Sequence, residues 1–387
     1  MTRTLMALAA STLLSGPAFA FTDGELLVWV GANRDEAAIQ AIGDQFEADL
    51  GIPVRVEVVD PDLPAKFQQA AGAGDGPDIV MWAHDRFGEW ASGGLIRPVA
   101  PSDQWSGTVL PTAMDAVTFD GAVWGYPVSA EAVHLIYNKA LVDVPPSSFE
   151  EIMAMEVPEG VAPIMWDYNN TYFTMPLLMA GGGYAFQKVD GTYDGSTTGV
   201  NTEGAVRGAA VLDGLIEAGI MPQGVDYGVM DGAMNKGEVA MVLNGPWAWG
   251  NLEASGIDFG VAPIPTVDGN TAPPFLGVQA LAINAASPNA DLAVEFIENY
   301  LASQEGLIAW NEGGALGALA DAAAAKTGAD ENVSGMLAVA AQAVPMPSNP
   351  EMGAFWSAMG PALTAITTQA QEPQEALDDA ARRILGE

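Results

Sequence analysis

The chain has no cysteine and only two histidines, His84 and His134. Without cysteine there is no disulfide, no thiol nucleophile and no soft metal ligand. Two histidines far apart in the sequence, with no thiol to assist them, argue against a zinc centre and leave His84 as a hydrogen-bonding residue at a strand end. Basic residues are scarce as well: 13 Lys and Arg stand against 49 Asp and Glu, for a formal net charge of −36. Such a surface repels nucleic acid and anionic membranes, so neither is an expected partner. It reads instead as a solubilising coat whose self-repulsion salt would screen. Because 49% of residues are hydrophobic, the charge does not imply disorder. A calcium-loop spacing is missing too, and so is a glycine-rich phosphate loop followed by Lys and Ser/Thr, so no metal or cofactor is expected and any ATP must be hydrolysed by another subunit.

Long apolar runs are also missing, with one short exception. Residues Leu5 to Leu14 follow the positive Arg3 and precede Ala18-Phe19-Ala20. A membrane-spanning helix needs roughly twice that length, so residues 1–20 read as a cleavable export signal and the mature chain is expected to begin near Phe21. With no cysteine at the cleavage point for a lipid anchor, the expectation is a free, monomeric periplasmic protein.

What is present is an alternation of strand and helix patterns. Glu25 to Trp29 has strand composition, Asp35 to Leu50 spaces Ala37, Ile39, Ile42 and Phe46 along one helix face, and Gly51 is a stop signal. Val54 to Val59 is strand-like, Ala65 to Ala73 helical, and Asp78 to Trp82 a further short strand. Val239 to Leu243 repeats the strand pattern before Asn244-Gly245-Pro246, while 290–303 and 353–368 read as helices and the segments 157–162 and 191–198 as surface connections. This order predicts a parallel, doubly wound α/β sheet, and the length suggests two lobes. In such sheets ligands bind beyond the carboxyl ends of the strands, which places 31–34 and 82–86 on one rim.

On that rim Trp82, Asp85 and Arg86 lie within five residues, and Trp247 and Trp249 follow the later strand. Aromatic faces that stack on sugar C–H groups, together with planar carboxylate and guanidinium partners for hydroxyls, are the elements of a carbohydrate site. Each also has an ordinary reading, as a core ring or a surface ion pair. The longer stretches around these residues resemble the maltose/maltodextrin-binding proteins of bacterial ABC importers. The resemblance runs through Gly74-Asp75-Gly76-Pro77-Asp78-Ile79, Trp82-Ala83-His84-Asp85-Arg86-Phe87-Gly88, Leu135-Ile136-Tyr137-Asn138-Lys139, Tyr172-Phe173-Thr174, Gly182-Gly183-Tyr184-Ala185-Phe186 and Asn235-Lys236-Gly237-Glu238. It continues in Asn244-Gly245-Pro246-Trp247-Ala248-Trp249, Ile283-Asn284-Ala285-Ala286-Ser287-Pro288-Asn289 and Ala354-Phe355-Trp356, and so covers essentially the whole mature chain.

The resemblance implies a two-lobe periplasmic binding protein fold, each lobe a doubly wound sheet flanked by helices, with residues 21–129 and 281–326 in the amino-terminal lobe and 130–280 and 327–387 in the other. It implies an oligosaccharide held in the interlobe cleft and delivered to the membrane subunits of an ABC transporter, with a chemotaxis receptor left open as a further partner. Carried over position by position, the aromatic platforms are Trp82, Tyr172, Trp247 and Trp356, with Phe173 beside them. The polar partners are Asp85, Arg86 and Glu131, Arg34 replaces a lysine, Asn33 replaces an aspartate, and Met346 lines the cleft. Asn170-Thr171 departs from an acidic residue and a proline, Asp62 and Pro64 from a charged pair, and Ser357 and Gly360 from a tyrosine and an arginine. These departures leave trehalose or sucrose open as alternatives to maltodextrin. A glycoside hydrolase would need Asp85 and Glu131 as its two carboxyls with one of them kept protonated. Arg86 beside Asp85 is expected to favour the ionised form and to count against hydrolysis.

Overall fold

In a computed structural model, residues 21–190, 192–326 and 331–387 are described; the expected export signal at 1–20 lies outside them. The chain forms two α/β lobes, each built on its own sheet. In the first, Leu26–Val30 pairs in parallel with Val54–Val58 on one side and with Ile79–Ala83 on the other. All five residues of the central strand are buried, the mark of a strand covered on both faces. Leu26, Val28 and Val30 pack into one layer with Phe46, Phe296 and Trp310, while Leu27 and Trp29 pack into the opposite layer with Phe67, Phe87 and Trp90. The strand period of two sends alternate side chains to opposite faces.

The rest of this sheet departs from the parallel arrangement expected. Phe275–Ile283 runs antiparallel to Ile79–Ala83 and to Tyr126–Glu131, and Ala318–Leu319 completes the edge. The second sheet, in the order Phe259–Ala262, His134–Asn138, Val239–Asn244, Ala162–Met165, is parallel only in its last pair. The physical reason is connectivity. Parallel neighbours come from crossovers within one lobe, whereas strands that link the lobes enter a sheet from its far end. Phe275 lies in the second lobe's core and Ile283 in the first lobe's, so one strand spans both.

Local chemistry explains the element boundaries. Asp35 accepts from Ala38 N at 3.2 Å to start the helix Glu36–Leu50, which Gly51 ends in a left-handed conformation. The next helix, Leu63–Gly72, begins two residues earlier than its pattern suggests because Asp62 caps it and Pro64 sits in its first turn. The segment expected as a helix over 290–303 is α-helical only to Phe296 and continues as a π turn, Ile297–Leu301. The expected connection at 191–198 instead supplies Thr192–Asp194 to a hairpin with Gln187–Val189.

A buried polar knot closes the first lobe. Asp78, 1% exposed, accepts from Leu27 N at 2.8 Å, from Ser287 Oγ and from Asn289 Nδ2 at 3.1 Å. Asn289 also donates to the carbonyls of Thr22 and Glu25, and Asn284 to those of Asp75 and Pro77. Three separate stretches of chain are thereby stitched together, with every donor pointed at an acceptor within the lobe.

Candidate functional site

The first strand ends in a turn whose Asn33 and Asp35 both have positive φ, and Trp310 Nε1 donates to Arg34 O at 2.7 Å to hold it. Arg34 reaches from this turn to Glu131 at the end of Tyr126–Glu131. The pair is bidentate, Nη1 to Oε2 at 2.9 Å and Nη2 to Oε1 at 2.8 Å, and Glu131 is almost fully buried. A third donor, Gln279 Nε2, also reaches Glu131 Oε1. Burial works against the Arg34 charge, but the charge and hydrogen bonds of Glu131 outweigh it and hold its pKa above the ordinary value.

Against this pair stands an aromatic corner packed on the core of the second sheet. Tyr172 and Trp247 have ring centroids 6.3 Å apart, and Phe173 meets each of them edge-on. The Arg34 guanidinium lies 5.8 Å from the Trp247 ring. Tyr172 Oη sits 3.4 Å from the Glu131 carbonyl. Burial, reinforced by Glu131, raises its pKa well above the usual range, so it stays a neutral phenol. Two sequence features set this corner. Asn170 accepts from Tyr172 N at 3.2 Å as the cap of the helix Thr171–Ala180. At Gly245 a Cβ would fall 2.1 Å from the Trp247 ring, so only glycine lets the indole fold back over the turn Pro246–Ala248. Trp249, two residues on, is a core ring packed on His134 and Phe259.

A second cluster lies at the end of Ile79–Ala83. Trp356, from the helix Met352–Thr367, packs edge-on against Phe355 and Phe275 and donates its indole N–H to Asp85 Oδ2 at 2.8 Å. Burial is the largest influence on Asp85 and pushes its carboxyl up to about 6, against the opposing pull of Arg86 and of the Trp356 N–H. Arg86 does favour the ionised form, as expected, but burial outweighs it and leaves the carboxyl above the ordinary aspartate range. Arg86 is 3.9 Å away and turns its guanidinium to Glu89 at 3.1 Å instead, so its charge does not offset the loss of water.

His84 joins the two clusters. Val278 N donates to His84 Nδ1 and His84 Nε2 donates to Met346 O, both at 3.0 Å, which fixes one neutral tautomer. Burial accordingly lowers its pKa to about 4. Met346 is buried, and a Cβ at Gly277 would lie 3.2 Å from its side chain, 3.5 Å from Tyr172 Oη and 3.7 Å from Glu131 O.

Arg34, Glu131, Tyr172, Phe173 and Trp247 thus form one cluster and Asp85, Arg86 and Trp356 another, with Met346 between them. Trp82 is half-buried and stands against Gly31 at the strand end, while Asn33 and Asn170 are exposed at their turns. Two neighbours were missed in the sequence. Tyr227, which faces Asn33, Asn244 and Trp247, carries no motif. Gln279 had a signal, as the one polar side chain in the otherwise apolar strand FLGVQALAI. Among the described residues no group of His, Cys, Asp and Glu could hold a metal ion, and no helix is long and apolar enough to cross a membrane.

The family described as bacterial extracellular solute-binding proteins matches residues 41–335. The chain belongs to that family. It is 29% identical to a maltotriose-binding protein of Pyrococcus abyssi over 89% of this chain and 77% of the relative. It is also 29% identical to a galactooligosaccharide-binding protein of Bacillus subtilis, over 94% and 89% of the two chains. A maltodextrin-binding protein of Bacillus subtilis is 27% identical over 97% and 93%. The resemblance read from the sequence and the two-lobe α/β fold are both borne out. The two clusters set aromatic rings beside a buried, bidentate guanidinium–carboxylate pair and a buried carboxyl.

Proposed function

We propose that this protein captures a neutral, maltodextrin-like oligosaccharide in the cleft and delivers it to the membrane subunits of an ABC importer. The observation that carries the reading is the Tyr172–Trp247 corner set directly against the bidentate Arg34–Glu131 pair. A pyranose offers one apolar face and a rim of hydroxyls, and this juxtaposition offers one surface to each. The cations Arg34 and Arg86 are already matched with Glu131 and Glu89, which favours an uncharged sugar over an acidic one. The lobes, taken as residues 21–129 with 281–326 and 130–280 with 327–387, close over the sugar by hinge bending. Arg3, the apolar run and Ala18-Phe19-Ala20 support export to the periplasm.

Binding rather than hydrolysis is the activity favoured. Asp85 has the raised pKa of a general acid, but Glu131, its would-be partner, is clasped by Arg34 and Gln279 and has no freedom to attack. Maltotriose incubated with the protein should be recovered intact by chromatography.

A galactooligosaccharide is the second reading, favoured by a relative as similar as the maltotriose binder. Around Gly360 there is room, since a Cβ there would meet only Asn169 O at 3.6 Å. Calorimetry with maltose, maltotriose, trehalose, sucrose and a β-galactotriose decides between these readings, and Gly360→Arg should narrow the range of sugars accepted. Trp247→Ala should weaken the best ligand about tenfold, by analogy with aromatic pairs worth ~0.5–1.5 kcal/mol beyond their area. Unchanged affinity in that variant would place the sugar elsewhere, and failure of all five sugars to bind would end the oligosaccharide reading.

A further inference from the structure

A buried polar side chain in an apolar strand calls for a reason, and Gln279 is such a residue. It is 6% exposed, in the middle of the nine-residue strand that spans both lobes. Its register sets it opposite Ala83 on one side and Ser129 on the other, and the ladder to Tyr126–Glu131 shifts between Gln279 and Ala280. Gln279 and Gly277, two apart, face the same side of the sheet. Gly277 is where Tyr172, Met346 and Glu131 converge, so Gln279 belongs to the floor of the polar half of the cleft.

Its orientation is fixed by chemistry. Both Glu131 oxygens accept from the Arg34 fork, so the Gln279 atom that meets Oε1 is the NH2 group. The amide oxygen is left as an acceptor, and no described residue donates to it. We propose that Gln279 is a positioning and specificity residue of the cleft: its NH2 completes the set of donors that holds Glu131, and its carbonyl accepts from a ligand hydroxyl. The proposal rests on the oligosaccharide reading above. It implies that a sugar able to donate a hydroxyl beside Glu131 is preferred over an analogue lacking that hydroxyl.

Two variants test this against maltotriose and a β-galactotriose by calorimetry. Gln279→Met keeps the volume and removes both functions, and affinity for whichever sugar the wild type binds should fall roughly ten- to a hundredfold. Gln279→Glu keeps the shape but sets two carboxylates against each other, so at pH 8 binding should fall at least as far. As pH is lowered toward 5 the two carboxyls should come to share one proton, which restores the missing donor. The affinity of Gln279→Glu relative to wild type should therefore rise on acidification. The charged and titratable groups around the pair are Arg34, Tyr172, Tyr227, Asp85 and His84, and the Tyr227 phenol is raised above its usual value and neutral throughout this range. Arg34 stays charged and Tyr172 neutral, His84 is held down to about 4, and Asp85, near 6, titrates in both proteins and cancels from the ratio. Thermal melts without sugar report any loss of folding separately. A wild type that binds neither sugar removes the oligosaccharide reading and this proposal with it. A wild type that binds, beside variants that bind as well or that weaken equally at every pH, overturns the role of Gln279 alone.

Discussion

The molecule holds two buried polar clusters of similar chemistry and different purpose. At Asp78 every donor and acceptor is matched within one lobe, by backbone groups and by Ser287 and Asn289. At Glu131 the partners arrive from the first strand's turn and from the crossing strand, and they stand against the aromatic corner of Tyr172 and Trp247. Both clusters fall on or beside stretches that carry the family resemblance. On the reading proposed here, what separates the two is not burial or polarity but whether any hydrogen-bonding capacity is left over: it is used up within the lobe at Asp78, and the Gln279 amide oxygen is left over beside Glu131.

The widest separation should come from Asp78→Ala. It strands the Leu27 N–H and Ser287 Oγ and removes one of the three acceptors around Asn289 Nδ2, so stability in the absence of sugar should drop by about 3–5 kcal/mol. The fraction that remains folded should bind sugar as before. Urea melts and calorimetry on the same sample check both halves, and lost affinity in a folded variant would erase the distinction drawn here.

The paired replacement Arg34→Met with Glu131→Leu should do the reverse. Exchanging both ions of a buried pair for apolar residues is often close to neutral, within ~1 kcal/mol in stability, whereas removing one alone costs about 3–5 kcal/mol. Affinity for the sugar should fall on the order of a hundredfold as the hydroxyl partners vanish. A double variant that loses its fold would show that the pair is as structural as the Asp78 knot.

Asp85→Asn sharpens the comparison with a smaller effect. Because the folded protein holds Asp85 up to about 6, well above an exposed aspartate, its proton is retained on folding. The folded state then binds more protons than the unfolded one between about pH 4 and 6, so this group's contribution to stability falls as pH rises through that window. At pH 8 ionised Asp85 costs up to roughly 3 kcal/mol, and the asparagine variant should recover about 1–3 kcal/mol there while flattening this part of the pH profile. Denaturation at pH 4 and pH 8 measures it. A gain in stability with a loss of sugar affinity is the signature of a residue retained for binding.

The sequence by itself determined the class of the molecule and most of its elements. An apolar run such as LLVWV, bounded by turn signals, has the composition of a strand, Asp35 and Gly51 punctuate the first long helix, and the long matching stretches carry the family. These signals are local, or repeat at a fixed period, and survive without knowledge of distant neighbours. Only the tertiary structure decided the rest. Trp247 and Trp249 look alike in sequence, yet one faces the Arg34 side chain and the other His134 in the core. Asp85 beside Arg86 looked like an ordinary ion pair, and it is the loss of water on folding that raises its pKa despite Arg86. The antiparallel entry of Phe275–Ile283 and the reach of Gln279 to Glu131, 148 positions away, depend on how the chain crosses between lobes. Desolvation and long-range contact are properties of the packed chain and leave no mark in a window of sequence.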